Sequence, residues 1–291
     1  MKISHTLFHL SIIVALLATI YASVGLFSKG GGGPFSFTTL YGDAVEIYGQ
    51  GLYRNDSAFK APILRGTDAV TLFVAVPALL VGSLLYRRGS LRGRLFLTSM
   101  LAYFLYNSAS LAFGAAYNPL LLVYIASASA SLFAFVMAFQ SIDLSMLASL
   151  TATKLPHRWI AAFLFIAGLS LVIWLVDILA ALIQRTVPAN LGPYSTEATY
   201  TLDLGVIFPT AFLAGILVWR RAPLGTLLAC ILITVNVTIG LVVASQSIMQ
   251  ALDGILLTPA EYAAYVAPFV TLSLIAAGFL VVIFRNISEP A

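Results

Sequence analysis

Asp177 is the one acid inside a long apolar run, within Leu171-Val172-Ile173-Trp174-Leu175-Val176-Asp177-Ile178-Leu179. A carboxylate there is costly unless it faces other protein, pairs with a cation or holds a proton. It reads either as a proton or cation site or as a structural pair with Arg185 near the interface. Asp68 and Asp203 stand at the starts of two other apolar runs, where a carboxylate can accept helix-start N–H bonds and meet the positive end of the helix dipole. Capping accounts for both, although with Asp177 they could form an acidic mouth that concentrates cations. Asn107 and Asn236 lie inside runs, beside Ser108 and Ser110 and beside Thr234 and Thr238 respectively. Amides so placed hydrogen-bond neighbouring helices or contact a substrate. Asp177, Asp68, Asp203, Asn107 and Asn236 are therefore the candidate solute or ion pathway.

Other chemistries find little support. His5 and His9 are four residues apart and share one helix face, but no HExxH accompanies them, so no metal site is expected. Cys230 is the only cysteine and falls in an apolar run, which excludes an intrachain disulfide and a CxxC pair. There is no GxSxG nucleophile elbow, no Walker A loop and no dinucleotide fingerprint, and no cofactor is expected.

The elements that must carry these residues are long helices. Of 291 residues 60% are hydrophobic and 9% charged, with mean hydropathy +1.00. So few charges cannot cover a water-soluble surface. A bilayer core needs about 20 apolar residues at 1.5 Å rise. Eight runs approach that length, with no charge inside them save Asp177, near residues 6–27, 69–86, 95–113, 119–139, 159–183, 204–219, 223–245 and 263–284. The fold class is thus an all-α integral membrane protein of about eight spans, one transmembrane domain over residues 1–291 in contact with the lipid bilayer. The first run is longer than the apolar core of a cleaved signal and is expected to stay as a span.

Ten of the fifteen Lys and Arg, namely Lys2, Arg87, Arg88, Arg92, Arg94, Lys154, Arg158, Arg220, Arg221 and Arg285, fall on one side if the runs alternate. That is a topology signal and not a nucleic-acid patch, and it places both termini in the cytoplasm. Lack of disulfides fits a prokaryotic cytoplasmic membrane. The one large loop, 28–66 on the opposite side, opens with glycines 30–33 as a flexible tether. It alternates apolar and polar residues over 35–41, turns at Gly42-Asp43 and resumes over 44–48, which reads as a small extracytoplasmic β-hairpin.

Helix-start signals sit at Asn118-Pro119, Ala222-Pro223 and Thr258-Pro259-Ala260-Glu261, the last a capping box. The second and third runs resemble the sixth and seventh in punctuation: Asp68, Pro77, Gly82, Tyr86-Arg87-Arg88 and Asn107 against Asp203, Pro209, Gly215, Trp219-Arg220-Arg221 and Asn236. Topology alone could produce that order. Duplication would give candidate halves 1–150 and 151–291 in parallel orientation, with a site between them. Pro77 and Pro209 would then kink their helices at matching depth.

The first functional reading is a transporter or channel for a small solute or ion. The alternative is a sensor or accessory subunit that binds a protein partner through 28–66. A membrane-embedded enzyme acting on a lipid or quinone ranks last. For orientation, Leu40→Cys in a Cys230→Ser background should react with a membrane-impermeant maleimide on intact cells, and Gly89→Cys only after permeabilisation; the reverse pattern inverts the topology.

Overall fold

The computed structural model describes residues 3–188 and 191–289; Lys2, used above for orientation, lies outside them. Among the described residues are eight helices long and apolar enough to cross a membrane. They are α1 (His5–Phe27), α2 (Lys60–Arg87), α3 (Leu91–Gly114), α4 (Leu121–Gln140), α6 (His157–Gln184), α7 (Ala198–Trp219), α8 (Pro223–Leu252) and α9 (Pro259–Arg285). A short helix, α5 (Leu144–Leu150), and two strands, β1 (Phe35–Thr38) and β2 (Ala44–Ile47), complete the fold. Large apolar side chains such as Leu16, Phe73, Phe133, Ile166 and Leu274 face outward, the arrangement expected of helices against lipid. The two ends of the bundle differ. Arg87, Arg92, Arg158 and Arg285 gather at one, where Glu289 accepts from the N–H of Leu91 and Arg92 and from Ser90 Oγ. The strands lie at the other, the hairpin end.

Inside, buried apolar residues form two clusters that both draw on α3 and α8. Close packing relies on small residues. The buried face of α1 includes Ser11, Ala15, Ala18, Ala22 and Gly25 beside Leu7, Val14 and Tyr21, and α4 meets it with Ser127, Ser131, Ala134 and Ala138 beside Tyr124. Between α2 and α8 the backbones nearly touch: a Cβ on Gly66 would lie 2.5 Å from Gln246 Cα.

Proline explains the feature that recurs in three helices. Pro77, Pro209 and Pro268 lack the N–H that would bond the carbonyl four residues back, and each ring would clash with that carbonyl. In every case a five-residue π-helical turn ends two residues before the proline, at Thr71–Ala75, Asp203–Ile207 and Tyr262–Val266. The residue before each proline then donates to the carbonyl five back: Val76 to Thr71, Phe208 to Asp203, Ala267 to Tyr262. Because α9 shows the same device outside the repeat-like pairing, proline chemistry accounts for it without duplication.

Several sequence expectations are corrected. Helices α2 and α7 begin eight and five residues before Asp68 and Asp203, so neither acid is an N-cap. Glu197 Oε1 caps α7 instead, accepting from Thr199 N–H. The loop expected to reach residue 66 yields its last residues to α2. The fifth run is interrupted at Leu171, whose N–H turns back to Gly168 O at 3.0 Å; Gly168 and Ser170, whose Oγ donates to Ala167 O at 2.8 Å, form the kind of pair at which helices kink. Glycines 30–33 are no loose tether, since Gly51 N–H bonds Gly30 O and Gly33 N–H bonds Gly49 O. The strands are shorter than read, in register Phe35↔Ile47 through Thr38↔Ala44. The capping box at Thr258 and Glu261 is present.

Gly66→Ala is expected to lower the thermal unfolding temperature, by roughly 1–3 kcal/mol of overpacking. Gly278→Ala, whose added Cβ would meet nothing within 4 Å, should leave it unchanged or raise it. Equal behaviour of the two variants in a thermal melt would show that α2 and α8 do not pack this closely.

Candidate functional site: a cavity running from the hairpin end to mid-bundle

A cavity of about 370 Å³ opens among α2, α3, α6, α7, α8 and α9. Phe59, Lys60, Glu197, Gln250, Leu257 and Glu261 line it at the hairpin end. Deeper lie Tyr103, Asn107, Trp174, Tyr200, Asp203, Ile239 and Phe269. A recess of about 70 Å³ shares Tyr106, Asp203, Ile239 and Phe269 with it and adds Ser170, Asn236 and apolar side chains. Asn236 stands sixteen residues before the end of α8, which at 1.5 Å per residue is about 24 Å down a helix of roughly 45 Å. Beyond it Leu91, Leu95, Ile160, Leu227 and Ile231 belong to the packed apolar cluster. The space therefore reaches mid-bundle and stops.

Asp203 stands where cavity and recess meet. Tyr106 Oη donates to its Oδ1 at 2.8 Å and Trp174 Nε1 to its Oδ2 at 2.9 Å. Both donors are neutral. The break at Leu171 brings Trp174 into place, because the second half of α6 starts afresh at Val172 and turns Trp174 and Asp177, three apart, to one face. The Trp174 ring stacks on Tyr200 at 5.3 Å and on Phe269 at 6.5 Å between centroids. Tyr200 Oη in turn donates to Asp177 Oδ2. Asp177 thus has a tyrosine where a cation was one expectation; among the described residues the ion pairs are Lys60–Glu197, Arg65–Asp253 and Arg92–Glu289.

Asn107 Nδ2 donates to Tyr21 Oη at 3.0 Å and to Thr71 Oγ1 at 3.3 Å, tying α3 to α1 and α2 while one side borders the cavity. Asn236 differs, because its buried Oδ1 has no hydrogen-bond partner. Asp68 is fully buried away from the cavity, under the loop that follows the hairpin, where Tyr53 Oη donates to its Oδ2 at 2.6 Å. Gly25 admits it: a Cβ there would lie 1.9 Å from the same oxygen. The acidic mouth expected from Asp68, Asp177 and Asp203 is therefore not assembled, since only Asp203 lines the space. Pro77 and Pro209 act through the π turns, the second of which begins at Asp203.

Sequence reasoning passed over Trp174, Tyr200, Lys60 and Glu197. A weak signal was there, since Trp174 precedes Asp177 by three residues and Tyr200 precedes Asp203 by three, the spacing of one helix face. At the mouth, Lys60 Nζ pairs with Glu197 Oε2 at 2.9 Å and lies 4.0 Å from the Tyr194 ring centroid. Tyr194 Oη donates to Asp56 Oδ1 at 2.8 Å, and Ala116 N–H donates to the same oxygen. Asp56 so latches the hairpin loop to the connections between α3 and α4 and between α6 and α7. Comparison with protein-family models, with curated proteins and with solved structures gave no match, so the reading of this site rests on its geometry.

Burial pushes the Asp56 carboxyl up to about 6 against the opposing pull of the Ala116 N–H, the Tyr194 hydroxyl and Lys60. A raised folded-state value means that the fold holds the neutral form better, so the contribution of Asp56 to stability is greatest below about pH 4 and is lost as pH rises to about 6, the cost of desolvating the carboxylate outweighing its hydrogen bonds. The full penalty at neutral pH is at most about 3 kcal/mol. Asp56→Asn should therefore be stabilised relative to wild type more at pH 7.5 than at pH 5 in paired thermal melts. A difference that does not change with pH would mean that Asp56 is solvated.

Proposed function

We propose that this chain is a multi-pass membrane carrier for a small solute, which enters from the hairpin end and binds beside Asp203 and Asn236. The observation that carries the reading is the one-sided cavity: polar and aromatic side chains from six helices line a path to mid-bundle that ends on close apolar packing. A channel would need a continuous path, whereas a carrier needs a mid-bundle site that faces one side at a time. The π turns favour such a site, because widened backbone is tolerated at membrane depth where protein or a wet cavity surrounds it. In this reading the arginine end is cytoplasmic, the hairpin end extracytoplasmic, and the membrane a prokaryotic cytoplasmic one.

A second reading has its own support. Phe35 and Phe37 sit on one face of β1, and Leu40 at the turn is 94% exposed, so the hairpin presents apolar side chains beyond the bundle. An accessory subunit would use them to hold a protein partner.

Cysteine accessibility separates the readings. In a Cys230→Ser background reconstituted in sealed vesicles, Ser247→Cys should react with a small charged methanethiosulfonate from the hairpin side only. Asn236→Cys should react from both sides, with reaction from the arginine side slower, and Thr226→Cys, buried in the arginine half, should be protected. Reaction of Asn236→Cys from the hairpin side alone would refute a carrier and favour a receptor or accessory subunit.

A further inference from the structure

The floor of the cavity is chemically one-sided. Asp203 is 6% exposed, and each of its oxygens takes one neutral donor. A carboxylate offers about four acceptor positions, so capacity remains on both oxygens. None of the ion pairs among the described residues involves Asp203. A short way further in, Asn236 Oδ1 is a buried acceptor without a partner, lining the same recess as Asp203. An orphaned buried acceptor of this kind is destabilising, a cost that a ligand donor would remove.

The walls point the same way. Trp174, Tyr200 and Phe269 form a stacked aromatic set beside the carboxylate, and ring faces attract a cation within about 6 Å. The Trp174 N–H is already given to Asp203, which leaves the ring and not the donor for a ligand. Lys60 is the one basic residue among the lining side chains, and Glu197 neutralises it. An anionic solute would find no unpaired cation there. Ile63, Leu64, Val242, Val243 and Leu257 supply apolar surface for the rest of a solute.

We propose that the solute is an organic ammonium, a protonated amine on an apolar or aromatic body, whose nitrogen donates to Asp203 and Asn236 while its body lies along Trp174 and Phe269. This rests on the reading of the cavity as a solute site. A bare inorganic cation would satisfy the oxygens but would leave the aromatic and apolar walls unused.

The test uses the full-length purified protein with three isosteric probes, 2-phenylethylammonium, 2-phenylethanol and phenylacetate, in calorimetric titrations at pH 7. The ammonium should bind at least tenfold more tightly than either analogue, and sodium chloride at equal concentration should not displace it. Asp203→Asn should weaken its binding at least tenfold. That variant disturbs two hydrogen bonds, so Asn236→Leu is the sharper one: it removes an unpartnered buried acceptor and should unfold at the same temperature or higher, yet bind the ammonium at least tenfold more weakly. Equal binding of the alcohol or the acid, displacement by sodium, or unchanged ammonium affinity in Asn236→Leu would each overturn the ammonium assignment, as would no binding of all three probes. The carrier reading fails separately, on the labelling of Asn236→Cys.

Discussion

Every backbone N–H and C=O of a helix set among apolar side chains or lipid must find its partner inside the protein, and the rest of this structure follows from that demand. Helices meet it without help from neighbours, which is why the chain is built of eight long ones. Where proline removes a donor, the helix does not simply lose a bond. It lengthens one turn to i→i−5, so that the carbonyls of Thr71, Asp203 and Tyr262 each gain the N–H of the residue before the proline. A π turn carries one extra residue, and side chains on either side of it are turned relative to a regular helix. In α7 that turn starts at Asp203, the acid that faces the cavity.

Buried polar side chains meet the demand less completely, since Asp68 Oδ1 and Asn236 Oδ1 among others have no partner, but the acids inside the bundle share one kind of donor. Asp68, Asp203 and Asp177 each take a hydroxyl from tyrosine, and Asp203 takes an indole N–H as well. Neutral donors let a carboxyl sit inside the bundle without recruiting an arginine, and an arginine would be costly to bury in its own right. The basic residues stay at the ends, where Arg87 lies over Phe8 and Arg158 over Trp219. None of these three acids takes part in an ion pair among the described residues.

The hairpin end is held by a different kind of contact. Tyr48 Oη donates to Asp253, Arg65 pairs with the same carboxylate at 2.8 Å, and Lys60 with Glu197 closes the neighbouring edge. Two strands alone are marginal in water, and the contacts of Tyr48 with Arg65 of α2 and with Asp253 at the end of α8 supply what the hairpin lacks. Of these, Lys60 and Glu197 also line the mouth of the cavity.

The sequence alone determined the number of long apolar helices, the side on which arginines collect, the hairpin and its turn at Gly42-Asp43, and the capping box at Thr258. These are local matters of hydropathy, charge and turn chemistry, legible within a few residues. It also named Asp177, Asn107 and Asn236, because polar groups in apolar runs are conspicuous, and Asp68 and Asp203 at the starts of runs. Only the tertiary structure decided which of them share a space. Asp68 and Asp203 look alike in the sequence, each an acid shortly before a proline and a basic pair, yet one is sealed beneath Tyr53 and the other faces the cavity. The break at Leu171, which brings Trp174 to Asp203, is marked only by Gly168 and Ser170, small residues of a kind found throughout these helices. Which way a side chain points depends on every turn of helix before it and on which neighbour fills the opposite face, and neither is a local property of the chain.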